Sequence, residues 1–192
     1  SNHPEQVYDN PYWSDKQKSK WYDYDISRRW TYGYELSNGM NFHNAFKLKP
    51  QVLSIEPEDS MYVIRTLYAP ENLSGSNQIY SLQRVYAGKE NGSWKLFSAL
   101  PFLTKDWSHE VVGSIQYIYP DTHRFDLAKA EQSSNFIESL HRKYNISDPG
   151  NIYYYLARNY DEMAKISGLD YAWDGNDGRG YPKNNQVFVG NG

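Results

Sequence analysis

His109 and Glu110 come closest, among residues that could perform catalysis, to a known catalytic pattern. In the pattern His-Glu-x-x-His, two histidines share one face of a helix and bind zinc, while the glutamate acts as general base. Gly113 stands where the second histidine is required, and the following residues alternate as in a strand. We therefore expect no zinc site at His109. The 192 residues include no cysteine, which excludes thiolate-bound metals, disulfides and a thiol nucleophile.

The run that starts at Asp174 has the composition of a calcium-binding loop but the wrong spacing. Such a loop needs an oxygen ligand at position 5, glycine at position 6 and glutamate at position 12. Those positions hold Gly178, Arg179 and Asn185. We expect residues 170–184 to form a connecting loop, and we expect no cofactor in this chain.

Paired carboxylates for glycoside hydrolysis are a third possible chemistry. Their separation is set in space, at roughly 5–9.5 Å, so sequence spacing cannot select a pair. The available carboxylates near predicted strand ends are Glu56, Glu58, Asp59, Asp121 and Asp126.

Aromatic side chains are abundant, with 19 Tyr, 7 Phe and 6 Trp. Because Val, Leu and Ile together number only 31, about as many as the aromatics, we expect most aromatics to fill the core. Trp173 and Tyr181 fall in the predicted polar loop instead. They are our candidates for contact with a glycan or peptide.

The elements that must position these residues predict an α+β fold. A helix after Ser14 and a strand around Trp30 are followed by antiparallel strands, the first of which holds Pro50 and is expected at an edge or bulged. Asn91-Gly92 predicts a hairpin turn. We expect residues 1–108 to form a lobe with an N-terminal helix and a curved antiparallel sheet.

Residues 109–192 predict a partial β-α-β-α-β lobe. Its elements are a strand over residues 111–119, a long helix capped by Asp126, a strand at 152–157, a short helix with a capping box at Asn159, and a strand at 186–189. Since the last strand lies at the end of the sequence, we expect further residues to complete this lobe.

Charge and hydropathy exclude several partners. The formal net charge is -3, with acidic and basic residues interspersed, so we expect no nucleic-acid partner. No apolar run has the ~18 residues of a membrane span. We expect a monomer.

Five segments of the second lobe resemble exported bacterial proteins of the gluzincin type, a class of zinc metallopeptidases. The matching segments are IQYIYPD at 115–121, YYYLA at 153–157, DEMA at 161–164, GLDY at 168–171 and YPKNN at 181–185. In such proteins a strand like 186–189 leads into the helix with the zinc-binding motif. The first lobe is similar, in strand order alone, to cystatin-like or nuclear-transport-factor-2-like folds.

The resemblance implies a non-catalytic, N-terminal part of an exported zinc peptidase. It would position substrate or act as scaffold, outside the cytoplasm (in the periplasm or at the cell surface) and after removal of an export signal. Zinc would belong to the longer parent protein, and this chain alone would have no peptidase activity. The backbone of Gln186–Gly190, with Gln186, Phe188 and Gly190 as candidate contacts, would line the substrate cleft. The alternatives are a glycan- or peptide-binding module and a small carboxylate-dependent hydrolase.

Overall fold

This computed structural model describes residues 12–18, 48–70, 79–146, 150–172, 178–181 and 185–190, which contain both helices and strands. The helices are α1 Asp15–Lys18, α2 Leu100–Leu103, α3 Leu127–Tyr144 and α4 Tyr160–Ile166. The strands are β1 Leu48–Glu58, β2 Met61–Pro70, β3 Ser81–Glu90, β4 Ser93–Phe97, β5 Ser108–Val112, β6 Ile115–Tyr119, β7 Ile152–Leu156, β8 Leu169–Ala172, β9 Gly178–Tyr181 and β10 Gln186–Val189. The predicted α+β class is confirmed.

The chain forms two compact units, and each is built from two separate segments of the sequence. The first unit takes its residues from Ser1–Phe102 and Ala164–Gly175, and the second from Leu103–Met163 and Asn176–Gly192. The strand β8 thus belongs to the first unit although most of the second unit precedes it.

The first unit contains an antiparallel sheet in the order β1-β2-β3-β4, with β8 paired to β3 beside β4. β1 pairs only with β2 among the described strands, and its register shifts between Val52 and Ser54. The prediction of an edge strand or a bulge around Pro50 is confirmed. Asn91 and Gly92 form the predicted turn between β3 and β4, with φ of 51° and 78°.

The start of the first unit is attached to β4 and β3. Trp13 forms a parallel bridge with Leu96, and Glu90 accepts hydrogen bonds from the Ser14 hydroxyl at 3.0 Å and the Asp15 amide at 2.9 Å. Glu90 therefore caps α1, which begins directly after Ser14 as predicted. The predicted strand around Trp30 lies outside the described residues.

An ion-pair network holds β8 to the sheet of the first unit. Asp170 accepts from Arg65 Nε at 3.2 Å and from Arg84 Nε at 2.9 Å. Burial lowers the pKa of Arg84, but the hydrogen bond and charge of Asp170 outweigh it, so the pKa lies above its ordinary value.

The second unit contains a mixed sheet in the order β5-β6-β7-β10-β9. β6, β7 and β10 are parallel neighbours, whereas β5 and β9 are antiparallel at the edges. The helix α3 connects β6 to β7, which is the arrangement expected for adjacent parallel strands.

Two predictions about strands after residue 108 are wrong. Residues 111–119 form a hairpin of β5 and β6 rather than one strand, because Gly113 adopts the left-handed φ of 59° and turns the chain. The predicted loop over residues 170–184 contains β8 and β9, whose backbones pair with β3 and β10.

The predicted helix ends in the second unit are confirmed. Asp126 accepts from the Lys129 amide at the start of α3, and Asn145 ends α3 with φ 50° and ψ 43°. Asn159 accepts from the Glu162 amide at 2.9 Å to begin α4.

Candidate functional site

A cavity of about 600 Å³ lies in the second unit between α3 and one face of the sheet. Residues alternate across a strand, so one face receives every second side chain of β6 and β7. Register places Ile115 beside Ile152, Tyr117 beside Tyr154, and Val187 beside Tyr154. The lining residues used below are Tyr117, His123, Arg124, Phe125, Asp126, Lys129, Ala130, Ser133, Phe136, Tyr154 and Val187.

Small residues on α3 leave this space open. Ala130 and Ser133 line the cavity on the helix side, opposite Tyr117 and Tyr154 of the sheet. A Leu or Phe at either helix position would fill much of the gap, as in an ordinary helix-on-sheet core. The cavity is thus a consequence of the sequence of α3.

Aromatic rings form the cavity wall next to β6. The ring centroids of Tyr117 and Phe125 are 5.3 Å apart, and those of Tyr117 and Tyr154 are 5.6 Å apart. Burial raises the pKa of Tyr117 and of Tyr154. A tyrosine is neutral at physiological pH, and burial makes both of these hydroxyls still harder to ionise. The Tyr117 hydroxyl donates to the Ala130 carbonyl oxygen at 3.5 Å.

The mouth of the cavity near the start of α3 is charged. Arg124 and Lys129 are exposed there, and among the described residues no carboxylate lies within ion-pair distance of Arg124. One carboxylate oxygen of Asp126 accepts a hydrogen bond from the Lys129 amide at 3.1 Å, and the other oxygen lies 3.7 Å from Lys129 Nζ. The mouth can accordingly attract a negatively charged group.

The predicted ligand contacts lie elsewhere in the second unit. Gln186 and Phe188 are buried on the opposite face of the sheet from Val187, where Phe188 stacks on Tyr155 with ring centroids 4.7 Å apart. The backbone of Tyr181 pairs with that of Gln186. Trp173 lies outside the described residues.

Gly190 is buried because another backbone segment approaches it closely. A Cβ at this position would lie 2.9 Å from the Tyr160 amide nitrogen and 3.0 Å from the Asn159 carbonyl carbon. Glycine is therefore required here by packing within the second unit. Gln186, Phe188 and Gly190 are not among the residues that line the cavity.

The residues considered for metal or carboxylate chemistry have structural partners. His109 lies on β5, where its Nδ1 is 3.2 Å from the Gln116 side-chain nitrogen. Glu58 accepts from the Tyr86 hydroxyl at 2.8 Å, and Asp121 accepts from the Ser108 hydroxyl at 2.7 Å.

Within the described ranges, no three His, Asp or Glu side chains are grouped so as to hold a metal ion. None of the helices in those ranges is long and apolar enough to span a membrane.

Most aromatic residues were expected in the core, and Tyr117 and Tyr154 were not singled out as site residues. Strand alternation cannot reveal an open space in front of them. The available signal was the pair of small residues, Ala130 and Ser133, on the side of α3 that lines the cavity.

Comparison of the chain with protein-family models, with curated proteins and with solved structures gives no match. The resemblance to zinc metallopeptidases therefore stays a prediction, as do the zinc of a longer parent protein and the location outside the cytoplasm.

Proposed function

We propose that the chain is a peptide-binding module whose second unit receives an apolar side chain of the peptide. The observation that carries this proposal is the cavity of about 600 Å³ beneath α3, with its walls of Tyr117, Phe125 and Tyr154. Its volume lies within the ~300–1,000 Å³ common for ligand pockets. Buried aromatic or aliphatic anchors supply most of the binding energy in peptide recognition.

The cavity wall favours a peptide over a glycan. Sugar hydroxyls lose hydrogen bonds to water when buried and need polar partners to replace them. The inner wall places Ile115, Ile137 and Leu156 beside the aromatic rings. Of its hydroxyls, those of Tyr117 and Ser133 already donate to backbone carbonyls of α3, at 3.5 and 3.0 Å. An aromatic or aliphatic side chain requires none.

The charged residues at the mouth of the cavity predict which residue of the peptide should stand next to the apolar side chain that enters it. Arg124 and Lys129 are exposed residues among those that line the cavity. A carboxylate beside the apolar anchor would gain a favourable interaction there. The expected motif is therefore an aromatic or aliphatic residue next to Asp or Glu.

A pair of serine variants tests the site. Ser133 and Ser139 are exposed residues of α3 whose hydroxyls donate to helix carbonyls at 3.0 and 2.7 Å, but only Ser133 lines the cavity. Ser133→Trp should fill the cavity and weaken binding to selected peptides by at least ~10-fold, while Ser139→Trp should leave it unchanged. Peptides are selected from a random immobilised library, and their affinity is measured by calorimetry.

The same protein is applied to an oligosaccharide array. Binding to sugars but to no peptide would contradict the proposal, as would peptide binding that Ser133→Trp and Ser139→Trp affect equally. The substrate-positioning role that the zinc-peptidase resemblance implies would use the same peptide contact.

A further inference from the structure

The apolar side of α3 that faces the cavity continues beyond it. Phe136 lines the cavity and is 62% exposed, and Leu140 and Tyr144 follow it at intervals of four residues. Residues four apart on a helix lie one above the other on the same face. These three side chains, Phe136, Leu140 and Tyr144, form what we call the α3 stripe.

The α3 stripe is accessible from solvent. Tyr144 is 59% exposed and Leu140 is half-buried, whereas the buried residues of the helix are Ala130 and Ser134. Scattered apolar residues on a surface need no explanation, but a row of them that begins at a binding cavity indicates a contact surface. A ligand that enters the cavity past Phe136 would continue along this row.

The charges on α3 favour an acidic ligand on this side. Arg142 and Lys143 are exposed in the last turn, and Lys143 Nζ lies 5.2 Å from the centre of the Tyr144 ring. The acidic residues of the helix, Glu131 and Glu138, are seven residues apart and fall on a different side from the α3 stripe. An acidic peptide would therefore meet cations at the mouth of the cavity and again at the end of the helix.

Helix dimensions predict where a peptide would make this second contact. The α3 residues that line the cavity run from Lys129 to Ile137, with Ser133 at the middle. The midpoint of Leu140 and Tyr144 lies about nine residues further along, which is about 13 Å at ~1.5 Å per residue. An extended peptide covers that distance in about four residues, and residues four apart in a strand project to the same side.

We propose that the bound peptide carries a second apolar residue, four positions from the anchor, that packs on Leu140 and Tyr144. The acidic residue stands on the other side of the anchor, because the charged mouth is near the start of α3 and the stripe leads to its end. The expected motif is Asp or Glu, the anchor, three residues of any type, and an aromatic or aliphatic residue, in either chain direction. This inference rests on the proposed peptide-binding function and names the second contact of the same ligand.

A variant of the α3 stripe tests the second contact. The probe is the tightest-binding peptide of about twelve residues from the library selection, a length that covers both contacts in extended form. Tyr144→Ser should weaken its binding by ~5-fold or more in calorimetry. Because Tyr144 is largely exposed, the midpoint of thermal unfolding should change little.

Val111→Ser is the matched control for loss of an exposed apolar side chain. Val111 is 68% exposed on β5, and its neighbour Val112 packs against the core cluster of Ile115 and Tyr117. Successive side chains of a strand point to opposite faces, so Val111 faces away from that core. This variant should bind the peptide normally.

A peptide variant combined with the protein variant separates direct contact from an indirect effect. Serine at the peptide residue four positions from the anchor should cost ~5-fold against the unmodified protein but little against Tyr144→Ser. The second contact would be wrong if the two losses were independent, if neither change had an effect, or if the selected peptide had no apolar residue there. In each of those cases weaker binding by Ser133→Trp would still support the cavity as a peptide site. If no peptide bound at all, the proposed function would be contradicted and the second contact with it.

Discussion

At the scale of single residues, Tyr155 shows how burial sets the ionisation of an aromatic side chain. It is 5% exposed, stacks on Phe188 and shares a hydrogen bond with Gln186. Burial raises the pKa of Tyr155 to about 12, and the Gln186 contact offsets part of the effect. The folded chain thus keeps this proton at pH values where the unfolded chain has lost it.

Tyr155 should make the protein less stable as the solution becomes alkaline. Its contribution is fully present below pH ~10 and is lost as the pH rises through the folded-state pKa of about 12. The expected loss is about 2–3 kcal/mol across that window, at 1.36 kcal/mol per unit. Urea unfolding between pH 9 and ~12 should show a smaller decline for Tyr155→Phe than for the unmodified protein.

Tyr144→Phe is the control for loss of one tyrosine, since Tyr144 is 59% exposed. An identical alkaline decline in the unmodified protein and in Tyr155→Phe would contradict this account of Tyr155.

At the scale of elements, two glycine turns with similar backbone angles differ in what surrounds them. Gly92 has φ 78° and open space around it, whereas a Cβ on Gly113, at φ 59°, would lie 1.9 Å from the Ser134 hydroxyl of α3. The β5–β6 turn is therefore packed against the helix, while the β3–β4 turn is free. Position 92 requires glycine for its backbone angle alone, whereas position 113 requires it for its backbone angle and for the close contact with α3.

Alanine substitution should separate these two roles. Gly92→Ala should lower the free energy of unfolding by about 1 kcal/mol, the cost of a left-handed backbone at a residue with a Cβ. Gly113→Ala should lower it by about 2–4 kcal/mol, because overpacking adds to that cost. The measurement is urea unfolding at neutral pH.

Ser134→Ala provides the matched test of the clash. Combined with Gly113→Ala, it should recover part of the lost stability relative to Gly113→Ala alone. Equal costs at Gly92 and Gly113, with no recovery in the double variant, would rule out packing at the β5–β6 turn.

At the scale of the whole molecule, the order of segments determines which pieces can fold alone. β8 pairs with β3, and Asp170 supplies the carboxylate for Arg65 and Arg84. A fragment of residues 1–108 lacks both the strand and the counter-charge. Arg84, whose side chain is 10% exposed in the intact protein, would lose the carboxylate that pairs with it.

Two fragments test this dependence. Residues 1–102 joined to 164–175 by a Gly-Ser linker of about ten residues should unfold cooperatively in urea. Residues 1–108 alone should be less stable by about 3 kcal/mol or more, or fail to fold. Equal stability of the two fragments would show that β8 contributes little to the first unit.

Most helices and the first hairpin could be predicted because the residues that begin or end them act on the neighbouring backbone. The cap residues Asp126 and Asn145 and the turn at Asn91-Gly92 act through neighbouring backbone, so the sequence is enough to locate them. The β5–β6 hairpin was missed because a lone glycine in an apolar run is compatible with a continuous strand. β8 and β9 were missed because their pairing partners are distant in sequence.

The candidate site was harder to predict than the fold. The five residues chosen from the sequence were selected by loop position and by the resemblance, and Gln186, Phe188 and Gly190 do not line the cavity. A cavity forms where the side chains of several helices and strands together leave a space unfilled. Only the combination of Tyr117 and Tyr154 with the small residues of α3 produces it.

The position of β8 between segments of the second unit also constrains how the gene can exchange parts with its relatives. A single crossover within codons 103–163 would join β1–β4 from one parent to β8 from the other. The hybrid would be viable only if the incoming Asp170 matched the resident Arg65 and Arg84. Selection should therefore favour inheritance of the whole segment from Arg65 to Asp170 as one block, with recombination breakpoints concentrated outside it.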